Sequence, residues 1–576
     1  MKFFFSCLKP FRKRMALSMS IKVLATSLEL LLPFILTHIL DNVIETLNIP
    51  KVVFFGVIMI ICAIGACFGH VWANRVQAGV SRDFSKNMRS QLFEKTLYLS
   101  ARDTDKFTIP SLESRITSDT YHVHHFVGVI QRLGVRAPIL LIGGLVMSFI
   151  MDPILALAMV ATLPFICITV IFLSKKGVPL YSKVQTSVDN MVRVVREDAQ
   201  GVRVIKALSK GEYENNRYDN VNKALAKSER KASMVTGIVN PLMTLLMNLG
   251  IVAVIGLSAY RVASGHTTTP TVIAFVEYFT MVSNAMISLS RMFVMYGRCA
   301  ASAKRIEEVI ENPDDFIVNK EKAVKDYNHV TFENVNFSYF GKSNNLENIN
   351  INLKKGEHLG IIGATGSGKS TLIKLLMRFY EPDSGSIRIN GKDVSSYTRE
   401  QLTKMFGVAL QNDFHFAGTI EDNIRFDRDI PSERIVWASK IAQAHDFIME
   451  KPEGYQHQLT QKGTNLSGGQ KQRILIARAI AGNPEILILD DSSSALDYKT
   501  DATLRKALKE NLTDSTIITV AQRVSSIKDC NHIIVIDQGK IIGQGTHQFL
   551  LDTCQEYREI SNSQMGGECQ CLDLIG

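Results

Sequence analysis

Two regimes of hydrophobic patterning divide this chain. Up to about residue 300 the apolar positions run together, near 15–40, 52–73, 132–150, 153–173, 235–262 and 271–294. Each run suffices for a helix crossing a bilayer, because about 20 residues rising about 1.5 Å apiece cover the roughly 30 Å hydrocarbon core. Between the second and third runs the pattern changes rather than stops: Phe84, Met88, Leu92 and then Phe93, Leu97 recur every fourth position with charges between them. That period predicts a helix continuing out of the membrane, about 70 Å long in all if it reaches residue 100. Beyond His329 strand-like runs alternate with helical ones, the mark of an α/β domain. The reading is therefore a membrane α-helical domain of six spans with long cytosolic helical extensions over 1–308, a charged linker at 309–328, an α/β domain at 329–562 and a tail at 563–576.

Charge supplies an orientation. The connections after the first, third and fifth spans, "DNVIETLNIPK", "MDP" and "ASGHTTTP", are short and nearly free of Lys and Arg. Those after the second and fourth carry seven Lys or Arg between 81 and 125 and thirteen between 174 and 234. The asymmetry places both long loops and both termini in the cytosol. It accounts for much of the formal net charge of +10 without nucleic acid. The polar turns of the two long hairpins, near 107–125 and 207–221, are candidates for contact with the second domain. "MKFFFSCLKPFRKR" places its basic cluster after its apolar residues, which suits an amphipathic stretch on the cytosolic surface better than a secretory signal.

Ionisable residues inside spans are costly, about 2.5–3.5 kcal/mol at mid-helix, so they need a partner or a wet cavity. Glu29 in the first span and Glu277 in the sixth are accordingly candidate cavity-lining contacts for a cationic or polar cargo, with an interhelical hydrogen bond as the structural alternative for each. Arg132, Arg136 and Arg291, nearer the cytosolic ends, are expected to snorkel. His122, His124 and His125 lack the carboxylate or cysteine that would complete a metal site, and only His122 and His125 share a helical face. The nine cysteines show no disulfide spacing, and Cys569 and Cys571 are expected to be idle thiols in a frayed tail.

The second domain holds the chemistry. "GATGSGKST", comprising Gly363, Ala364, Thr365, Gly366, Ser367, Gly368, Lys369, Ser370 and Thr371, follows a strand-like "HLGIIG" and precedes a helical run. This is a phosphate loop in its required context: glycines turn backbone N–H groups onto phosphates, Lys369 reaches the terminal phosphates and Ser370 can ligate magnesium. Tyr339 offers a ring to stack on a base. Gln411 closes a strand where an amide can touch a metal-bound water and a neighbouring domain. "LSGGQ", which is Leu466, Ser467, Gly468, Gly469 and Gln470, opens a helix whose free N–H groups make a second anion site. In "ILILDD" Asp490 is placed for magnesium and Asp491 for a general base.

These motifs in this order resemble the ATP-binding cassette transporters, in particular exporter halves that fuse six spans to one nucleotide domain. The resemblance covers almost the whole chain. It implies ATP and Mg2+ as ligands and a dimer of two half-transporters, with each ATP held between the phosphate loop of one half and the "LSGGQ" of the other. The hairpin tips would be coupling helices, and the cargo a hydrophobic or amphipathic small molecule leaving the cytosol or inner leaflet. Because the spans begin almost at residue 1, the peptidase domain of peptide-processing exporters is not expected. A plain half-sized chain suits a bacterial inner membrane.

Two positions depart from the family pattern. Where active members place a glutamate after the magnesium aspartate this chain has Asp491, and where they place a histidine on the last strand it has Gln522. Both changes weaken hydrolysis while sparing the ATP-binding residues. They point to the degenerate-site subunit of a heterodimer whose partner carries the glutamate and histidine. Gln461, where many relatives have a glutamate, alters the cross-talk between halves. A slow homodimeric exporter of lipid or peptide, and in another class an ATP-gated channel, are the alternatives; a soluble ATPase acting on nucleic acid leaves the six spans unexplained.

Overall fold

The structure, a computed structural model, describes residues 6–44, 48–313, 316–319, 328–339, 341, 344–411 and 414–565. Cys569, Cys571 and half of the expected linker lie outside them. The chain divides into two units, Met1–Tyr98 with Phe107–Asn312, and Leu99–Lys106 with Pro313–Gly576.

The first unit is helical. Its long helices are α1 (Arg12–His38) and α2 (Ile49–Leu97), followed, after the short α3 (Ala101–Phe107) at the junction of the units, by α4 (Thr120–Met151), α5 (Pro153–Ala207), α6 (Gly211–Gly237), α7 (Val239–Ala263) and α8 (Thr269–Ile310). Four of the six apolar runs fall inside single long helices; the run near 15–40 passes the end of α1 by two residues, and the run near 235–262 spans the break at Ile238 between α6 and α7. Among the described residues five helices are long and apolar enough to cross a membrane, and Pro153–Thr169 within α5 is a shorter apolar stretch. Val53, Phe54, Ile60, Ile64 and Phe68 stand exposed along α2. Such a row is stable against lipid, not water. The expected continuation of the second span is present, since α2 runs 49 residues, about 74 Å at 1.5 Å each.

Helices α1, α2, α4 and α8 pack together, and α5 pairs with α6 and α7. Their polar groups find partners across the bundle. Tyr278, fully buried in α8, donates its hydroxyl to the carbonyl of Leu30 in α1 at 2.8 Å. In the tight turn "MDP" Asp152 caps α5, its Oδ1 accepting from the backbone N–H of Ile154 at 3.0 Å and Leu155 at 3.3 Å, while Oδ2 takes the Nε of Arg261 in α7 at 2.9 Å. Arg136 corrects the expectation of snorkelling. Its guanidinium turns across to Glu29 of α1 at 2.6 Å, because the free energy of matching two charges beside lipid exceeds that of reaching for the interface. His124 shares a hydrogen bond with Ser81 of α2 at 3.1 Å, and His125 stacks on Tyr121.

The second unit is an α/β domain with one antiparallel and one mostly parallel sheet. Strands β1 (Val330–Phe337), β2 (Leu346–Leu353), β4 (Ser384–Ile389) and β5 (Lys392–Asp393) form the first, in the order β2-β1-β4-β5. The second has the order β12-β11-β3-β10-β9-β6, from β3 (His358–Ile362), β6 (Phe406–Ala409), β9 (Ile486–Asp490), β10 (Thr516–Val520), β11 (His532–Asp537) and β12 (Lys540–Gly545). A two-residue ribbon of β7 (Gly418–Thr419) and β8 (Gln458–Leu459) lies apart. Every residue of β9 is buried, which explains its unbroken apolar run: a parallel strand covered on both faces has no polar side to alternate with. The unit also contains helices α9 (Lys369–Leu376), α10 (Gly468–Ala481), α11 (Tyr498–Asn511) and α12 (Gln555–Met565).

The Asp152–Arg261 pair generates a prediction. Breaking a buried ion pair from one side costs about 3–5 kcal/mol because the other charge is left unmatched. Asp152→Ala should therefore lower the thermal midpoint of the purified chain in detergent markedly, and adding Arg261→Ala should recover part of the loss. An Asp152→Ala chain melting with the wild type would contradict this account.

Candidate functional site

Strand register assembles the site before any side chain is considered. The neighbours β6, β9, β10 and β3 all run parallel, with Ala409 opposite Leu489, Asp490 opposite Val520, and Val520 opposite Ile361. Their carboxyl ends therefore form one row, the usual ligand edge of an open α/β sheet. Gln411 follows β6 by two residues, Asp490 ends β9, Asp491 comes next, Gln522 follows β10 by two, and the phosphate loop leaves β3.

A cavity of about 200 Å3 opens on this row. Thr365, Gly366, Gly368, Lys369, Ser370 and Thr371 line it, as do Gln411, Asp490, Asp491 and Gln522. Gly363, Ala364 and Ser367 complete the loop beneath. Gly368, at φ +110°, is the residue before α9; a Cβ there would stand 2.8 Å from a methyl of Leu346. Lys369 folds back to donate to the carbonyls of Gly363 at 2.8 Å and Ala364 at 2.7 Å, and burial holds its ammonium below the usual lysine range against the pull of Asp490 and Asp491. Ser367 Oγ is buried with no hydrogen-bond partner among the described residues. A folded-back ammonium and a helix N-terminus in one small cavity, with the unmatched Ser367 hydroxyl in the same loop, fit a phosphate chain. Ser370 Oγ donates to Asp490 Oδ1 at 3.4 Å, so hydroxyl and carboxylate are already together as a magnesium site needs.

Asp491 answers to both neighbouring strands. Its backbone turns into the left-handed region at φ +50°, and its N–H donates to the carbonyl of Val520 at 2.9 Å. A positive φ is uncommon outside glycine. The turn holds the side chain between the strand ends, where Gln411 Nε2 and Gln522 Nε2 both donate to Oδ2, each at 3.0 Å. Burial raises the Asp491 carboxyl above the ordinary range and the Asp490 carboxylate adds to the rise; the Gln411 amide and Lys369 oppose it. Asp490 is also raised by burial, against Ser370 and Lys369.

Other expected residues stand outside this cluster. Tyr339 meets Phe337 and Tyr380 edge-on at centroid distances of 4.9 and 5.0 Å, and its hydroxyl reaches Thr371 at 3.3 Å. Tyr380 in turn donates to Asp105 of the segment Leu99–Lys106, which clusters with this unit just before the polar turn singled out from sequence. Leu466, Ser467, Gly468, Gly469 and Gln470 do not line the cavity. They shape the start of α10 instead: Ser467 Oγ accepts from the N–H of Gln470 at 3.3 Å, and Gln470 Oε1 accepts from the N–H of Ser467 at 3.1 Å. This capping box holds the turn rigid, and a Cβ on Gly469 would come 3.1 Å from the carbonyl of Ala495 in "SALD".

Sequence reasoning missed Asn345 and Gln564. Asn345 lines the cavity and accepts from the N–H of Tyr339 at 3.0 Å. Gln564 in α12 donates to the carbonyl of Gln522 at 2.7 Å and accepts from the N–H of Val524 at 2.8 Å, pinning the loop that carries Gln522. Neither belongs to a recognisable motif: Asn345 meets the phosphate loop, and Gln564 the Gln522 loop, only in the folded chain.

A phosphate loop on a parallel sheet, fused to a bundle of membrane-length helices, defines an ATP-driven membrane transporter. The comparisons agree. The family model for the ABC transporter transmembrane region matches residues 15–286 and that for the ABC transporter matches 346–494. The uncharacterized ABC transporter ATP-binding protein YfiB of Bacillus subtilis is 33% identical over 567 residues, covering 98% of both chains. The putative ABC transporter ATP-binding protein exp8 of Streptococcus pneumoniae is 29% identical over 574 residues, 98% of this chain and 97% of that one. A solved bacterial Atm1-family ABC exporter with ATP bound superposes with a TM-score of 0.82 at 24% identity, over 96% of this chain and 98% of the other. The chain belongs to the ABC transporter family. It is a multi-pass membrane protein, a half-transporter of the exporter fold whose second unit is the ATP-hydrolysing domain.

The geometry at Gly368 predicts that Gly368→Ala, strained in φ and pressed on Leu346, will weaken ATP binding at least tenfold, about 1.4 kcal/mol. Titration with a fluorescent ATP analogue checks this; an unchanged affinity would contradict the tight-loop account.

Proposed function

We propose that this chain is one half of a heterodimeric ATP-driven exporter. It holds ATP at a degenerate site on its own phosphate loop and completes the hydrolytic site of a second half-transporter with residues 466–470. The observation that carries the reading is the double hydrogen bond at Asp491. A carboxylate offers about two lone-pair sites on each oxygen, and Oδ2 gives both to amides from Gln411 and Gln522, which fix the side chain and leave only Oδ1 for a water. A general base needs a lone pair aimed at the water it activates.

Length adds to this. Aspartate is one methylene shorter than glutamate, and a misplacement of about 1 Å can lower a rate about a hundredfold. Gln522 can donate to a terminal phosphate but stays neutral, whereas a histidine can become cationic. Loss of base assistance lowers turnover by about a hundred- to ten-thousandfold. The binding side is complete: Lys369 and the N–H groups around Gly366 and Gly368 would hold the phosphates of ATP, Tyr339 would lie against the base, and Ser370, Gln411 and Asp490 would hold magnesium. Bound there, the cation would neutralise phosphate charge.

That residues 466–470 do not line the cavity supports assembly across two chains. Turnover then depends on the carboxylate of the partner. Closure of the ATP domains would be relayed through the hairpin tips near 107–125 and 207–221 to the long helices they join, with both termini cytosolic in a bacterial inner membrane. Hydrophobic or amphipathic molecules would leave the cytosol or inner leaflet.

The purified chain alone should show little magnesium-dependent ATP hydrolysis at saturating ATP. Asp491→Glu combined with Gln522→His should raise that rate at least tenfold while leaving ATP affinity within about twofold, given the size of base effects. Turnover by the unmodified chain near the enzyme median of about 10 per second would defeat the degenerate-site reading.

A further inference from the structure

A cavity of about 600 Å3 lies in the helical unit among α1, α4 and α8, within the range of about 300–1,000 Å3 for small-molecule sites. Three ionisable side chains line it: Glu29, Arg136 and Glu277. They are not equivalent. Both Glu29 oxygens are occupied, Oε1 by Arg136 Nη2 at 2.6 Å, and Oε2 by Arg136 Nε at 3.3 Å and by the Nε2 of His70 at 3.2 Å. Glu29 and Arg136 thus neutralise one another and tie α1 to α4. Glu277 is exposed to the cavity and, among the described residues, takes part in no ion pair. Among the side chains that line the cavity, only the Glu277 carboxylate is left without an ion-pair partner.

The wall around it has a matching polarity. Glu277, Thr280, Asn284 and Ser288 follow one another at three- and four-residue spacing along α8, and all four line the cavity. The hydroxyl of Thr280 donates to the carbonyl of Val276 at 2.9 Å, and that of Ser288 to the carbonyl of Asn284 at 2.9 Å. With both protons spent on the helix itself, these hydroxyls offer the cavity only lone pairs. A carboxylate above two acceptor-only hydroxyls is a surface for a cation or a donor. Leu133, Ala137, Leu140 and Met281 supply apolar surface, Met281 with an adaptable thioether.

We propose that Glu277 is the cargo-recognising carboxylate of this half-transporter, that Glu29 is a positioning residue spent on Arg136, and that the cargo is a lipophilic monocation. The inference rests on the exporter reading and adds a substrate class and a division of roles between two carboxylates. An ionisable group left open beside lipid is unfavourable unless a ligand or water matches it. A single cation with an apolar body matches both the charge and the wall.

The test uses two probes of nearly the same shape and opposite charge, tetraphenylphosphonium and tetraphenylborate. Their binding to the purified full chain in detergent is measured by equilibrium dialysis against protein-free detergent. The unmodified chain should prefer the cation at least tenfold, and Glu277→Gln should abolish that preference. Glu277→Asp should keep most of it. The double variant Glu29→Gln with Arg136→Gln, which leaves the net charge of the cavity unchanged, should keep it too.

Equal binding of the two probes by the unmodified chain would overturn the proposal without any mutation. So would a Glu277→Gln chain that keeps its preference, or a Glu29→Gln, Arg136→Gln chain that loses it. ATP affinity is read on each sample. A chain that binds no ATP would count against the exporter reading, whereas a chain that binds ATP normally but shows no charge preference would count against the role of Glu277 alone.

Discussion

The parallel register of β6, β9, β10 and β3 is the constraint on which the nucleotide unit depends. Backbone pairing sets Ala409 beside Leu489 and Val520 beside Asp490, so the strands end together and whatever follows them must share one edge. Gln411 and Gln522, 111 residues apart in the sequence, become symmetrical flanks of Asp491 because each lies two positions past its strand. The positive φ at Asp491 belongs to the same constraint. The chain must leave a buried strand sharply, and the N–H bonded to Val520 holds the turn in place.

Burial at that edge has opposite effects on opposite charges. It lowers the ammonium of Lys369 and raises the carboxyls of Asp490 and Asp491, so each charged form is made costly and each draws on the others for compensation. Phosphates and magnesium bring further charge into a set already poised to share it. The same burial is why the two glutamine amides matter: in a site with little water, neutral donors fixed on Oδ2 are not readily exchanged.

The helical unit obeys the same rule in a harsher solvent. Asp152 with Arg261, and Glu29 with Arg136, each place a carboxylate against a guanidinium across two helices, so charge and packing are matched at one point. Glu277 is the exception, and its position on a polar stripe facing a cavity separates it from Glu29.

The sequence by itself determined the classes of element and most of the nucleotide-binding residues. Runs of apolar residues long enough for a bilayer mark candidate membrane helices, the four-residue period over 84–97 extends the second of them, and the phosphate loop is legible because its chemistry is local: glycines, lysine and serine act within nine consecutive positions. What required the tertiary structure was every role exercised at a distance. The occupation of Asp491 Oδ2 from two strands, the pinning of the Gln522 loop by Gln564, the entry of Asn345 into the cavity and the capture of Glu29 by Arg136 have no periodicity or motif to announce them. Hydrogen bonds and ion pairs depend on separations of about 3 Å, and only the fold brings residues dozens or hundreds of positions apart that close.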